Sequence, residues 1–213
     1  ALQEADGDFA KAERILKELG KAAAAKRSGR ATNEGRVFVK IDGNRAIILE
    51  MACETDFVAR NETFVGLGEE LAGDILTRNL SEADDTVNAK VQDAISTIKD
   101  NMSLRRFQVV EKTDNQVFAS YIHGESGGIG GIVTVGVDEP SLTDSQQVQD
   151  FAFDVALHVV AFRPTYLASE NIDEAYRTEQ EEIFRSQAKN MDKPEKVIQG
   201  IVQGKLRKHF SEI

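Results

Sequence analysis

The feature that most restricts this chain is a change of hydrophobic period that occurs twice, in the same order. Val37, Val39 and Ile41 alternate with other residues, Asp42-Gly43-Asn44 follows, and Ala46 to Met51 returns. Alternation on either side of a glycine-bearing turn predicts an antiparallel hairpin over 36–52. The period then lengthens. Phe64, Leu67, Leu71 and Ile75 recur at helical spacing and predict a helix over 61–79. The segment from Val117 to Phe162 repeats this order: Tyr121-Ile122-His123-Gly124 runs up to a turn, Ile129 to Val137 returns, and a helix follows over 146–162. In that helix Val148, Phe151, Val155, Val159 and Phe162 are expected to form the inward face. The fold class expected is α+β, with two related subdomains of antiparallel sheet packed with helices.

Other segments complete the outline. Phe9, Ala12, Leu16 and Leu19 predict a helix over 8–26, interrupted near Gly20, and Val87, Val91, Ile95, Ile98 and Met102 predict another over 86–102. Arg105 to Glu111 is a further short strand. Gly66, Gly68 and Gly73 fall inside the 61–79 helix, where each costs about 1 kcal/mol relative to alanine. Close packing against a neighbour is the expected reason. Residues 173–190 and 194–210 are two charged helices joined by Asn190-Met191-Asp192-Lys193, with Pro194 in the first turn of the second. Their few large apolar residues are Tyr176, Ile183, Phe184, Val197, Ile201 and Phe210, which suits a projecting antiparallel helical hairpin, or coiled coil. A single amphipathic helix does not bury its own face, so 1–26 reads as the end of a small helical module, followed by the polar stretch 27–35. The divisions expected are 1–30, 31–116, 117–170 and 171–213.

Composition excludes several classes of function. The net charge is −10, and the basic residues cluster only between Lys21 and Arg30. Phosphate-backbone binding needs a larger basic footprint, so no nucleic-acid partner is expected. No apolar run approaches the ~20 residues that span a bilayer, and the first residues carry no signal pattern. A cytoplasmic protein without a membrane partner is expected. Cys53 is the only cysteine and continues the apolar run Ile47-Ile48-Leu49, so it reads as a core residue. His123, His158 and His209 have no metal-ligand spacing. Gly124-Glu125-Ser126-Gly127 is one residue short of a nucleophile elbow, and Gly204-Lys205 lacks the rest of a phosphate loop. Asp84-Asp85 and Glu181-Glu182 read as solvated faces. No catalytic residue, metal or cofactor is expected.

What remains is a pattern for contact. In Met51-Ala52-Cys53-Glu54-Thr55-Asp56-Phe57-Val58-Ala59 a buried strand runs into a polar turn that carries a large aromatic beside an acid. Local pattern favours a staple, in which Phe57 folds back under the helix starting near Asn61 and Asp56 caps or solvates the turn. The other reading makes Phe57 an exposed interface anchor.

The same stretch resembles the signature of the elongation factor Ts family, the nucleotide exchange factors for elongation factor Tu. The likeness runs through Ile47-Ile48-Leu49-Glu50 and Cys53-Glu54-Thr55-Asp56-Phe57-Val58-Ala59. It is joined by Lys40-Ile41-Asp42-Gly43-Asn44, Leu104-Arg105-Arg106, Ser120-Tyr121-Ile122-His123-Gly124, Leu157-His158-Val159-Val160-Ala161, Lys193-Pro194-Glu195-Lys196 and Gly204-Lys205-Leu206-Arg207-Lys208. Family members have a small ubiquitin-associated-like helical domain, a core of two related α+β subdomains and an antiparallel coiled coil. Against that pattern the first helices of the N-terminal domain and the later core segment lie outside this chain.

The resemblance implies a protein that makes and breaks no bonds. It binds elongation factor Tu·GDP, disturbs the magnesium and phosphate site, and promotes GDP release and GTP exchange. Asp56 and Phe57, flanked by Thr55 and Val58, match the pair that intrudes on the partner's nucleotide domain. His123 and Gly124 match a contact with a second domain, the alternative for His123 being a residue that caps the hairpin turn. Ile98 and Lys99 match a helix-end contact, with Lys99 standing where relatives often carry glycine. Arg105 and Arg106 are expected to pair with core acids. Two alternatives stay open: a scaffold that binds through the helical hairpin without exchange activity, and a hydrolase with an acidic metal site near Asp56. The sequence also leaves open a homodimer through the hairpin and an organellar matrix rather than the bacterial cytoplasm.

Overall fold

A computed structural model describes residues 1–27, 29–188 and 194–213. The chain divides into two compact units, Ala1–Val160 and Ala161–Ile213. Among the described residues the first contains helix α1 (Phe9–Arg27), strands β1 (Glu34–Asp42) and β2 (Arg45–Cys53), and the single-turn helix α2 (Asp56–Ala59). Helices α3 (Glu62–Arg78) and α4 (Asp85–Ile98) follow, then strands β3 (Met102–Glu111), β4 (Gln116–His123) and β5 (Ile129–Gly136) and helix α5 (Gln146–Phe162), whose last turn reaches past the division. The second unit holds α6 (Glu174–Ala188) and α7 (Glu195–Phe210). The architecture is α+β, with two antiparallel sheets, β1-β2-β3 and β4-β5.

The first hairpin forms where the alternation places it. Asp42 pairs with Arg45 across Gly43-Asn44, and Gly43 takes φ +59°, the left-handed value that a two-residue hairpin loop asks of glycine. Strand β2 is central, and Ala46, Ile47, Leu49, Met51, Ala52 and Cys53 are all buried. Against this sheet α3 and α4 pack Phe64, Leu71, Ile75, Val87, Val91 and Ile95. Asn61 and Asp84 cap the two helices by accepting from the Thr63 and Val87 N–H groups. Lys90 on α4 reaches Glu70 at 2.8 Å and Asp74 at 3.3 Å on α3, which fixes the two helices side by side.

The β2–β3 ladder shifts register between Glu50 and Met51, so Glu50 pairs with Arg106 while Met51 pairs with Leu104. The extra residue is Arg105. Adjacent strand residues ordinarily face opposite sides, but a bulge re-aims one of them. Arg105 and Arg106 therefore both reach Glu50, donating to Oε1 at 2.9 Å and Oε2 at 2.7 Å. The expected pairing with a core acid is present.

Several expectations are corrected. The helix over 86–102 stops at Ile98, because Lys99 turns left-handed (φ +65°) and donates its N–H to the Ile95 carbonyl; Met102 is the first residue of β3. Helix α1 continues past Gly20 to Arg27. Of the four apolar positions expected to face inward, Ala12 is buried, and Phe9, Leu16 and Leu19 are exposed. In α5 the inward face is Ala152, Ala156 and Val160, while Phe151 and Phe162 point outward. Of the three glycines in α3, Gly68 lies under the Phe38 ring and Gly73 beside the Lys40 side chain, but Gly66 faces open space.

In the second unit α6 and α7 run antiparallel. Tyr176 near the start of α6 bonds His209 near the end of α7 at 2.9 Å, and Gln187 accepts from Lys205 at 2.9 Å. The seam is Ala188, Val202 and Leu206 with Phe184, Ile198 and Phe210. Ile183 and Val197, expected in it, are exposed. The joint expected at Asn190-Met191-Asp192-Lys193, like Ser28 in the polar stretch, lies outside the described residues. No helix among the described residues is long and apolar enough to cross a membrane.

Candidate functional site

The site begins where β2 leaves the sheet. Cys53 is its last residue, and the buried thiol donates to the Thr55 carbonyl at 3.2 Å. Burial above all pushes this thiol up to about 11, so it stays protonated and serves as a donor rather than a nucleophile. Thr55 adopts extended backbone and its Oγ1 accepts from the Val58 N–H at 3.3 Å, capping α2. The four residues of α2 then distribute themselves by helical geometry. Ala59 is buried, Val58 packs against the first core, and Phe57 points away at 82% exposure. Asp56, in the first turn, meets Arg60 at 3.4 Å.

This overturns the staple. Phe57 does not fold under α3, and the capping residues are Thr55 and Asn61 rather than Asp56. A large exposed aromatic on a capped turn costs solvent-exposed apolar area without contributing to the core, and such residues mark contact surfaces when a partner covers them.

Pairing of Cys53 with Met102 brings the α4–β3 junction to the same end of the sheet. There Ile98 packs on the first core and Lys99 stands exposed in its left-handed cap. Glycine is the residue that adopts this cap without strain, and a lysine there bears a modest backbone cost. His123 ends β4, paired with Ile129, and its Nδ1 lies 3.1 Å from the Tyr121 hydroxyl. Gly124 follows at φ +69°. Both are exposed. This turn is tied to β1: the Val37 N–H donates to the Gly127 carbonyl at 2.9 Å and Arg36 Nη1 to the Glu125 carbonyl at 3.0 Å. Arg36 and Val37 lie near the strand end at which Glu34 pairs with Cys53. The structure thus brings Ile98–Lys99 to the end of the three-stranded sheet that carries Thr55–Val58, whereas His123–Gly124 belong to the β4–β5 hairpin, whose turn is held to β1 at Arg36 and Val37. Sequence reasoning did not single out Glu54, Asp100 and Asn101, which lie directly behind the exposed turn.

A family model described as Elongation factor TS matches residues 54–213, beginning at this turn. The chain is similar over all 213 residues to curated proteins named Elongation factor Ts: 42% identical to that of Treponema denticola, 40% to that of Borrelia garinii and 39% to that of Borrelia recurrentis. It spans 76%, 76% and 77% of their respective lengths. A likeness that extends over every residue of the chain, and includes the turn that presents Phe57, leaves one assignment: the chain belongs to the elongation factor Ts family.

Proposed function

We propose that this chain binds elongation factor Tu and promotes release of its GDP, so that GTP takes the vacated site. The observation that carries this reading is the exposure of Phe57 on a turn whose neighbours are fixed by the Thr55 cap and by burial of Ala59. Phe57 enters between helices of the partner's nucleotide domain and Asp56 hydrogen-bonds beside it, which displaces groups that support the magnesium ion. Magnesium bridges and neutralises the nucleotide phosphates, so loosening its surroundings weakens GDP. Linkage sets the size of the effect: this chain lowers nucleotide affinity by the factor by which nucleotide lowers the affinity for this chain. Ile98 and Lys99 widen the same contact, and His123 and Gly124 touch a second domain. The factor itself makes no covalent change, holds no cofactor and acts in the cytoplasm.

In this reading residues 1–30 are the end of a ubiquitin-associated-like domain and its linker, 31–116 and 117–170 are the two core subdomains, and 171–213 is the coiled coil. The test is the release of a fluorescent GDP analogue from elongation factor Tu during a chase with unlabelled GDP. The intact chain accelerates release, and Phe57→Ala reduces that acceleration by roughly ten- to a hundredfold, the range an interface anchor of ~2 kcal/mol implies. An unaltered rate with the Phe57→Ala chain would sink the wedge. Binding to nucleotide-free partner without accelerated release would instead identify a scaffold.

A further inference from the structure

Directly behind the exposed turn lies a polar cluster with no part in the contact itself. Glu54 precedes the Thr55 cap, and its Oε1 accepts from the Asn101 backbone N–H at 2.7 Å and from Arg30 Nη1 at 3.4 Å. The Asn101 side-chain amide donates to the Arg30 carbonyl at 2.7 Å. Asp100 and Asn101 are both buried. The Asp100 carboxyl lies within hydrogen-bonding reach of the Glu54 carboxyl, yet its Oδ2 is buried with no donor among the described residues. An ionised carboxylate only accepts, so two of them in contact leave such an oxygen stranded; one proton between them supplies the missing donor.

We infer that Glu54 and Asp100 are positioning residues: a carboxyl pair holding one proton that clamps the end of β2 to the α4–β3 junction, and so fixes the Thr55–Val58 turn that follows β2. The role in exchange rests on the function proposed above; the clamp itself does not.

The environment assigns the proton. Burial first, then the hydrogen bond and charge of Glu54, push the Asp100 carboxyl up against the smaller downward pull of the Asn101 and Glu54 N–H groups, while the Asn101 N–H holds Glu54 below its ordinary value. Asp100 therefore carries the proton and Glu54 the charge. Other groups facing the pair are Arg30 from the polar stretch and Cys53 from β2, with Glu34 of β1 acting on that same thiol. Arg105 of β3 is engaged by Glu50 and the Thr32 carbonyl. The raised group contributes stability that is present below its unfolded value and lost as pH rises through its folded value. The lowered group contributes stability present above its unfolded value and lost as pH falls through its folded value. The clamp is intact in the window between the lowered Glu54 value and the raised Asp100 value. Above that window a second buried negative charge appears and opens the joint.

The test has two arms on the same protein. Carbon-13 NMR of the side-chain carboxyls follows both acids in the chain alone, alongside hydrogen exchange at the Val58 and Asn101 amides. Expected are an Asp100 titration above that of Glu54, and roughly tenfold faster amide opening above it, beyond the intrinsic pH effect. Asp100→Asn supplies a permanent donor and abolishes that pH dependence, whereas Glu54→Gln loosens the amides at every pH. Two acids titrating independently in the ordinary range overturn the clamp, and this wild-type readout decides even where a variant does not fold. In the second arm GDP release from elongation factor Tu is measured across the same pH range. The ratio of wild-type to Asp100→Asn acceleration falls as Asp100 ionises. If neither chain accelerates release while the amides follow the pair, the exchange reading fails and the clamp stands. If release is accelerated but its pH profile is the same for both chains, the clamp has no part in positioning the contact.

Discussion

In the first strand–turn–strand–helix repeat, α3 presses Phe64, Leu71 and Ile75 onto a three-stranded sheet, and the small residue at the closest approach is on the helix, where Gly68 admits the Phe38 ring of β1. In the second, α5 turns Ala152, Ala156 and Val160 inward over a two-stranded sheet, and the small residue is on the strand: a Cβ on Gly131 of β5 would stand 3.1 Å from Val160 Cγ2. The large aromatic residues of α5 do not join that buried stripe. Phe151 is exposed, and Phe153 lies edge-on to the Tyr121 ring at 6.1 Å. The same order of elements therefore makes one core of large apolar residues and one seam in which the buried helix residues are two alanines and a valine. A hydrophobic pattern specifies helix or strand, but the size of the apolar residues does not by itself say which face goes inward.

The largest effect that separates the two repeats is truncation of the core of large apolar residues. Leu71 has no exposed surface. Leu71→Ala removes it from a packed site and costs about 2–5 kcal/mol. Phe151→Ala, on the corresponding helix of the second repeat, stays within about 0.5 kcal/mol. Urea unfolding midpoints of the two variants measure the contrast. Equal losses would mean that Phe151 is an inward residue and that the repeats are packed alike.

Overpacking probes the other side of the comparison, with a smaller effect. Ala156 is fully buried where α5 faces its sheet. Ala156→Leu inserts three carbons into a contact that has no room for them and costs about 1–3 kcal/mol. The GDP release proposed to depend on Phe57 serves as a second readout, since a local loss of packing in the second repeat leaves the turn after β2 in place. A neutral Ala156→Leu would show that α5 stands off from β4-β5 and that the alanine stripe does not set the distance.

The sequence made the first hairpin legible because Gly43 punctuates a clean alternation, and α3 because its apolar spacing is unbroken. Three features were hidden for separate reasons. Met102 sits four residues after Ile98 and extends the helical pattern, but Lys99 ends the helix by its backbone conformation, which side-chain hydrophobicity does not encode. The inward face of α5 was misread at Phe151 and Phe162 because phenylalanine outweighs alanine in any hydrophobic pattern, whereas the buried stripe is Ala152, Ala156 and Val160, with Val159 beside it near Gly131. The exposure of Phe57 depends on the one-turn helix α2. The Thr55 cap starts that turn early enough for Val58 and Ala59 to take the inward positions, and local pattern alone favoured the opposite result. Glu54 and Asp100 meet only through the β2–β3 register, since Cys53 must pair with Met102 before the two acids become neighbours.

Two glycines of α3 separate helix propensity from close approach on one element. A Cβ on Gly68 would fall 2.2 Å from Phe38 Cζ, inside the ring, whereas one on Gly66 would meet nothing within 4 Å. Gly66→Ala therefore gains the propensity of alanine without a clash and stabilises the chain by about 1 kcal/mol. Gly68→Ala gains the same propensity but must displace a buried aromatic ring, so the change is net destabilising. Thermal or urea unfolding of the pair decides between the two contributions. If both substitutions stabilise, the Phe38 ring moves aside freely and the first repeat owes its spacing to its large core residues alone. If Gly66→Ala destabilises, the propensity gain is outweighed at a position whose added Cβ meets nothing within 4 Å, and the contrast between the two glycines is not one of space.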